Sequence, residues 1–202
     1  IYIEPFKNTL TAAAMELKLK ELSLGVVGLG LGYIELSLLQ NLIANPAISA
    51  NLTSFEKETE LVENLTAWLD GKNNTTYELI CEKLSVKKAQ VIEKIQNLEW
   101  QKLGLLDFET KVSKPFNFVA YDAFSQFTDG PLWSDDFLDF FLTNLCDKDC
   151  VFSTYACTGN LKRALQRNGF LFIRRQGFTG KRDATLALRG QFKSLQNLFQ
   201  SV

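Results

Sequence analysis

Histidine is missing from this chain altogether. That absence removes histidine-based nucleophilic triads, histidine-ligated metal centres and imidazole general bases from the chemistry open to it. Methionine occurs once, proline four times and glycine 12 times, which excludes collagen-like and linker compositions. The four cysteines (Cys81, Cys146, Cys150 and Cys157) form no C-x-x-C pair and are too sparse for a disulfide scaffold, so free thiols in a reducing compartment are expected. The longest apolar stretch, Leu22 to Leu39, is broken by Gly25, Gly28, Gly30 and Gly32 and carries Glu35. It reads as a glycine-rich strand, turn and helix and not as a membrane span. No signal peptide is evident, and a cytoplasmic location is expected.

What is present is an apolar, phenylalanine-rich chain of 202 residues, 46% hydrophobic, with 16 Phe. Such a length buries about 70% of the unfolded surface and needs no staples. One domain over 1–202 is expected, with a helical extension at 1–21, a core at 22–190 and a tail at 191–202. The net charge of −1 conceals an asymmetry: residues 1–159 carry 13 basic and 22 acidic residues, whereas residues 160–202 carry nine basic residues and only Asp183. A basic segment of this kind is either a solvated face or a surface for a polyanion.

Local patterning predicts a helix at 9–21 and a buried strand at 22–27 leading into the glycine turn. A helix at 33–45 stops before Pro46, and a strand at 51–57 precedes a helix at 58–70. Residues 77–101 read as helical, 102–108 and 116–124 as strands, and 133–145 as a helix capped by Ser134. A strand at 150–156, a helix at 159–169 and two successive strands at 170–175 and 184–189 complete the chain. The alternation predicts an α/β, doubly wound, mostly parallel sheet closed by an antiparallel hairpin.

Three places in that frame carry candidate chemistry. Gly28, Gly30 and Gly32 sit at the first strand-to-helix turn, where bare backbone approaches a ligand closely. Their G-x-G-x-G spacing departs from the dinucleotide pattern G-x-G-x-x-G and suits S-adenosyl-L-methionine, which has no pyrophosphate. Glu56 lies 24 residues beyond Gly32 at the end of the second strand, where a carboxylate accepts ribose hydroxyls. Asp107 is expected to close the third strand and to meet an adenine amino group; a surface turn is the other reading. In YDAFSQFTDGPLW (121–133), Asp122 ends the fourth strand with Phe124, Phe127 and Trp133 nearby, a setting for a nitrogen nucleophile or a stacked base, or else a turn over an aromatic core.

That segment, followed by STYACTGNLKRALQRNGF (153–170) and GFTGKRDATLA (177–187), closely resembles the methyltransferase domain of the MnmC-like family. GLGLGYIE and SFEK resemble its cofactor motifs, and the resemblance covers about residues 22 to 190. It departs from the family pattern at Val26, where an acidic residue is common, at Gln126, and at residues 33–35. The resemblance implies a Rossmann-like enzyme that uses S-adenosyl-L-methionine to methylate the exocyclic amine of 5-aminomethyl-(2-thio)uridine at the tRNA wobble position. It implies tRNA, through its anticodon loop, as the partner, and a separate flavin-dependent oxidoreductase acting upstream to make the amine, since that domain does not fit in this chain.

On that basis Asp122 is expected to hold the amine and assist its deprotonation, with Phe124, Trp133 and Phe178 enclosing the uracil. Lys162, Arg163, Lys181 and Arg182 are expected to meet phosphates. The alternatives are a methyltransferase for another RNA or a small amine, a nicotinamide-dependent oxidoreductase, and a non-catalytic RNA-binding module.

Overall fold

A computed structural model of the chain describes residues 1–123, 129–175 and 184–200. The apolar run Glu21–Val27 forms strand β1, buried beyond its first residue, because it lies at the middle of a sheet covered on both faces. Ser49–Phe55 (β2) pairs with it in parallel on one side and Phe116–Tyr121 (β4) on the other. Glu99–Leu103 (β3) is parallel to β2, and Cys146–Thr154 (β5) is parallel to β4. Ala184–Arg189 (β7) inserts antiparallel between β5 and Leu171–Arg175 (β6). The resulting order is β3-β2-β1-β4-β5-β7-β6, the expected mostly parallel sheet with its antiparallel end.

Helices Ile3–Thr11 (α1), Tyr33–Ala44 (α2), Thr59–Leu69 (α3), Thr75–Lys83 (α4) and Lys88–Gln96 (α5) precede β4 in the chain. Asp135–Asn144 (α6) and Gly159–Arg167 (α7) flank β5, and Gln196–Gln200 (α8) ends the described chain. Two cores result, one on each face of the sheet. On one face Phe6 and Leu10 of α1 and most of α2 cover Leu24, Val26, Leu52 and Phe118. On the other, α6 and α7 cover Phe116, Val119, Tyr121 and Phe152. Among the described residues ten Phe are buried in these layers, so the phenylalanine excess is chiefly core. Each contributes roughly 2–3 kcal/mol by burial. The four cysteines are free. Among the described residues no helix is long and apolar enough to cross a membrane.

The first helix begins earlier than expected and widens into a π-helical turn over Ala12–Leu17, stopped by Lys18 in the left-handed region at φ 52°. The helix expected over 77–101 is broken at Ser85, φ 53°. Its last residues become β3, because Asn51 to Phe55 of β2 supply the partners for Glu99 to Leu103. Tertiary pairing here overrides local helical propensity. The expected strand at 102–108 therefore ends at Leu103, and Asp107 lies in the loop beyond it.

Candidate active site

Among the described residues, the glycine turn, Glu56 and Asp122 lie where parallel strands β1, β2 and β4 end, and the glycine turn organises them. Gly28 adopts φ +86°, and a Cβ on it would stand 2.7 Å from the backbone oxygen of Asp122. Only glycine meets both demands. The Gly28 and Leu29 N–H groups donate to the Phe55 carbonyl at 3.0 and 3.3 Å, and the Asp122 N–H donates to the Val27 carbonyl at 2.8 Å. The ends of β1, β2 and β4 are thereby tied together.

Glu56 is buried and bridges two segments. Its Oε2 accepts from the Gly30 N–H and its Oε1 from the Glu58 N–H, both at 2.9 Å. The second bond sets a carboxylate at the start of α3, where a helix favours negative charge. A carboxylate has about four acceptor positions, so two remain for hydroxyl donors. Because Glu56 already takes the Gly30 N–H, that donor is not offered to a phosphate. This gives the dinucleotide reading a physical objection beyond glycine spacing.

A cavity of about 420 Å³ opens beside the turn, lined by Gly28, Phe55, Glu56, Leu106, Asp107, Phe108, Ala123, Asp129 and Phe137 among others. Lys57 also lines it, and its ammonium is paired with Asp129 at 2.7 Å. Asp107 folds into a local turn, its Oδ1 accepting from the Glu109 N–H and the Thr110 hydroxyl at 3.0 Å each. It thus reaches the cavity from a loop and not from a strand end.

S-adenosyl-L-methionine fits these residues. Apolar walls such as Leu106 and Phe108 suit a purine, and Glu56 suits a ribose diol. Three carboxylates against one paired ammonium suit a ligand that carries both a sulfonium and an ammonium. Replacing Glu56 with Ala is expected to weaken S-adenosyl-L-methionine binding by about 10- to 100-fold in calorimetry, through loss of hydrogen bonds to a charged acceptor and of the bridge between turn and helix. Unchanged affinity would remove Glu56 from the site.

Asp122 follows β4 directly and is half-buried. Its Oδ1 accepts from the Tyr2 hydroxyl at 2.5 Å. Burial raises its carboxyl above the ordinary range, and the Tyr2 bond opposes that rise. Beside it the Tyr155 hydroxyl donates to the Ala123 carbonyl at 2.6 Å. Trp133 is only 3% exposed, and its ring meets the edge of Tyr121 at 5.1 Å between centroids. It therefore forms part of the wall behind the site and presents no open face for a base. Phe124, Phe178, Lys181 and Arg182 lie outside the described residues.

The basic C-terminal segment is less available than its charge suggests. Arg167 is engaged by Asp139 at 2.8 Å and Asp135 at 3.2 Å. Arg189 donates to the carbonyls of Leu142, Cys146 and Asp147, closing the end of α6, and lies over the Phe170 ring. Lys162 is half-buried, with its ammonium 4.8 Å from the Phe172 ring centroid, while Arg163 is exposed on α7.

Two residues outside the expected set adjoin this site. Tyr2 is one, and nothing in its local sequence marks it. The other is Glu35, fully buried in the first turn of α2. The Ser54 hydroxyl donates to its Oε1 at 2.9 Å, and the Trp100 indole N–H donates to Ser54 at 3.1 Å. Its Oε2 has no hydrogen-bond partner. Burial pushes the Glu35 carboxyl up to about 8, and the nearby Asp122 and Glu56 add to the rise. A lone acid in the apolar run YIELSLL was the signal for it.

The S-adenosyl-L-methionine-dependent methyltransferase family matches residues 57–190. The glycine turn and Glu56 precede that span. No curated protein matches the chain. Among solved structures, MNMC2 from Aquifex aeolicus is similar over 99% of this chain, with a TM-score of 0.64 and 20% identity. The chain spans 64% of that structure's length. The N-methyltransferase NodS from Bradyrhizobium japonicum is similar over 92% of this chain and 97% of its own, with a TM-score of 0.50 and 13% identity. At such identities the likeness is one of fold.

Proposed function

We propose, from the premise that this chain belongs to the S-adenosyl-L-methionine-dependent methyltransferase family, that it methylates the exocyclic amine of 5-aminomethyl-(2-thio)uridine at the wobble position of tRNA. Its cofactor is S-adenosyl-L-methionine. The observation that carries the reading is Asp122, a half-buried carboxylate touching the glycine turn through its backbone, in a chain without histidine. The resemblance of the segments at 121–133, 153–170 and 177–187 to the MnmC-like family points to the substrate.

When bound, the cofactor supplies an electrophilic methyl group on a sulfonium. Glu56 and the Asp107 loop would hold it. An alkylammonium is not a nucleophile, so the substrate must lose a proton and present its lone pair. Asp122 binds the ammonium, orients it and accepts that proton. The exposed side chains of Leu31, Phe108 and Tyr155, on turns following β1, β3 and β5, and of Tyr33, the first residue of α2, offer apolar contact to unpaired bases around the mouth. An upstream oxidoreductase, flavin-dependent by the family resemblance, would make the amine.

Phosphate contacts fall to Lys162 and Arg163, with Lys181 and Arg182 as further candidates. Since Arg167 and Arg189 are committed elsewhere, tRNA affinity should fall with salt less steeply than nine free cations would require. Lys162→Ala and Arg163→Ala should each lower the slope of log affinity against log salt by about one. Unchanged slopes in filter binding would place the RNA on another face. The substrate reading itself is tested by labelled methyl transfer to an anticodon stem-loop carrying the amine. Transfer is expected there and not to the same stem-loop with unmodified uridine; label on both, or on neither, overturns it.

A further inference from the structure

Asp122 has a partner from the other end of the chain. Tyr2 precedes α1, and α1 is held against the sheet by Phe6, whose ring lies 5.1 Å from that of Phe118, and by buried Leu10. The Ser153 hydroxyl of β5 donates to the Ile1 carbonyl at 3.1 Å, which fixes the backbone on the other side of Tyr2. The Tyr2 hydroxyl therefore arrives at Asp122 on a braced segment, 120 residues away in sequence.

We propose that Tyr2 is a positioning residue for the methyl transfer, its hydroxyl fixing one carboxylate oxygen of Asp122 so that the other takes the substrate amine. The inference rests on the reading of Asp122 as the amine-binding group. Its chemistry follows from two opposed effects. Burial favours the neutral acid, which cannot accept a proton from an ammonium, whereas a neutral hydroxyl donor favours the carboxylate. The Tyr2 phenol is itself pushed well above its usual range by burial and by the adjacent carboxylate, so it stays a neutral donor. The other titratable neighbours do not duplicate this. Tyr155, after β5, gives its hydroxyl to the Ala123 carbonyl, and Glu35 on α2 accepts from the Ser54 hydroxyl and is itself pushed up to about 8, chiefly by burial, with Asp122 adding to the rise.

The test is Tyr2→Phe, which keeps the ring and removes the donor. Cofactor affinity in calorimetry should be unchanged. On the amine-bearing stem-loop, kcat should fall about tenfold with little change in KM. The acid limb of the pH profile should move to higher pH, because the carboxyl loses the bond that favoured its ionised form. Tyr2→Phe should add no further loss in an Asp122→Asn background. Placing 3,5-difluorotyrosine at position 2 retains the packing and strengthens the donor, so the limb should move the opposite way; this protein carries the test if Tyr2→Phe does not fold. Titration of Asp122 by carbon-13 NMR reads the coupling without any substrate. If the wild type fails to methylate the stem-loop while Asp122 still responds to Tyr2→Phe, the substrate reading fails and the coupling stands. An Asp122 titration and a kcat both unmoved by Tyr2→Phe overturn the inference.

Discussion

Asp122→Ala is expected to leave S-adenosyl-L-methionine binding intact and to lower methyl transfer by about 10³-fold, the middle of the range for loss of a positioned acid–base group. The two readouts should separate because, in the function proposed, cofactor contacts fall to Glu56 and the Asp107 loop while Asp122 serves the amine. Asp122→Asn should be nearly as damaging, since an amide keeps the shape but cannot take a proton. The pH profile of the wild type follows from the same placement. Burial raises the Asp122 carboxyl, so activity should decline on acidification at a higher pH than an exposed aspartate would give. Single-turnover transfer and calorimetry on each variant provide the check. Wild-type turnover in Asp122→Ala would remove the residue from the chemistry.

Glu35→Gln should change stability and its pH dependence more than any surface substitution. The wild-type carboxyl is fully buried, has one unpaired oxygen and lies near 8 in the folded chain against an ordinary value of 4.5. Below about 4.5 the group is neutral in both folded and unfolded chains and costs nothing electrostatically. As pH rises through the interval to 8, the unfolded chain ionises first, so stability falls; above 8 the loss is complete. A shift of this size corresponds to about 5 kcal/mol. Glutamine retains an acceptor for Ser54 and carries no proton equilibrium, so the variant should be markedly more stable than wild type at pH 9 and close to it at pH 4. Urea denaturation across that range measures both. Parallel stability curves would show that Glu35 does not titrate with folding.

The parts of the site legible in sequence were those set by local pattern. Apolar runs and glycine spacing located the first turn, and counting onward to the second strand end located Glu56. Asp107 was found as a residue but misplaced as a strand end, because pairing with β2, and not the apolar run after Lys102, determines where β3 stops. Charge counting made the C-terminal segment look uniformly available. It cannot distinguish Arg163, which is exposed, from Arg167 held by two aspartates or Arg189 turned onto backbone carbonyls. Trp133 looked like a base-stacking residue for the same reason: an aromatic near Asp122 in sequence is a wall or a platform depending on which face is covered. Tyr2 was invisible because its meaning lies in a contact with a residue 120 positions away.

The central claim is methyl transfer to a wobble-uridine amine, and nucleoside analysis tests it most directly. The protein is incubated with S-adenosyl-L-methionine and tRNA carrying 5-aminomethyl-(2-thio)uridine, and the tRNA is digested and resolved by mass spectrometry. Consumption of the amine with matching appearance of 5-methylaminomethyl-(2-thio)uridine is the predicted result. An untouched amine in the presence of bound cofactor, or a methyl group on any other nucleoside, would contradict it.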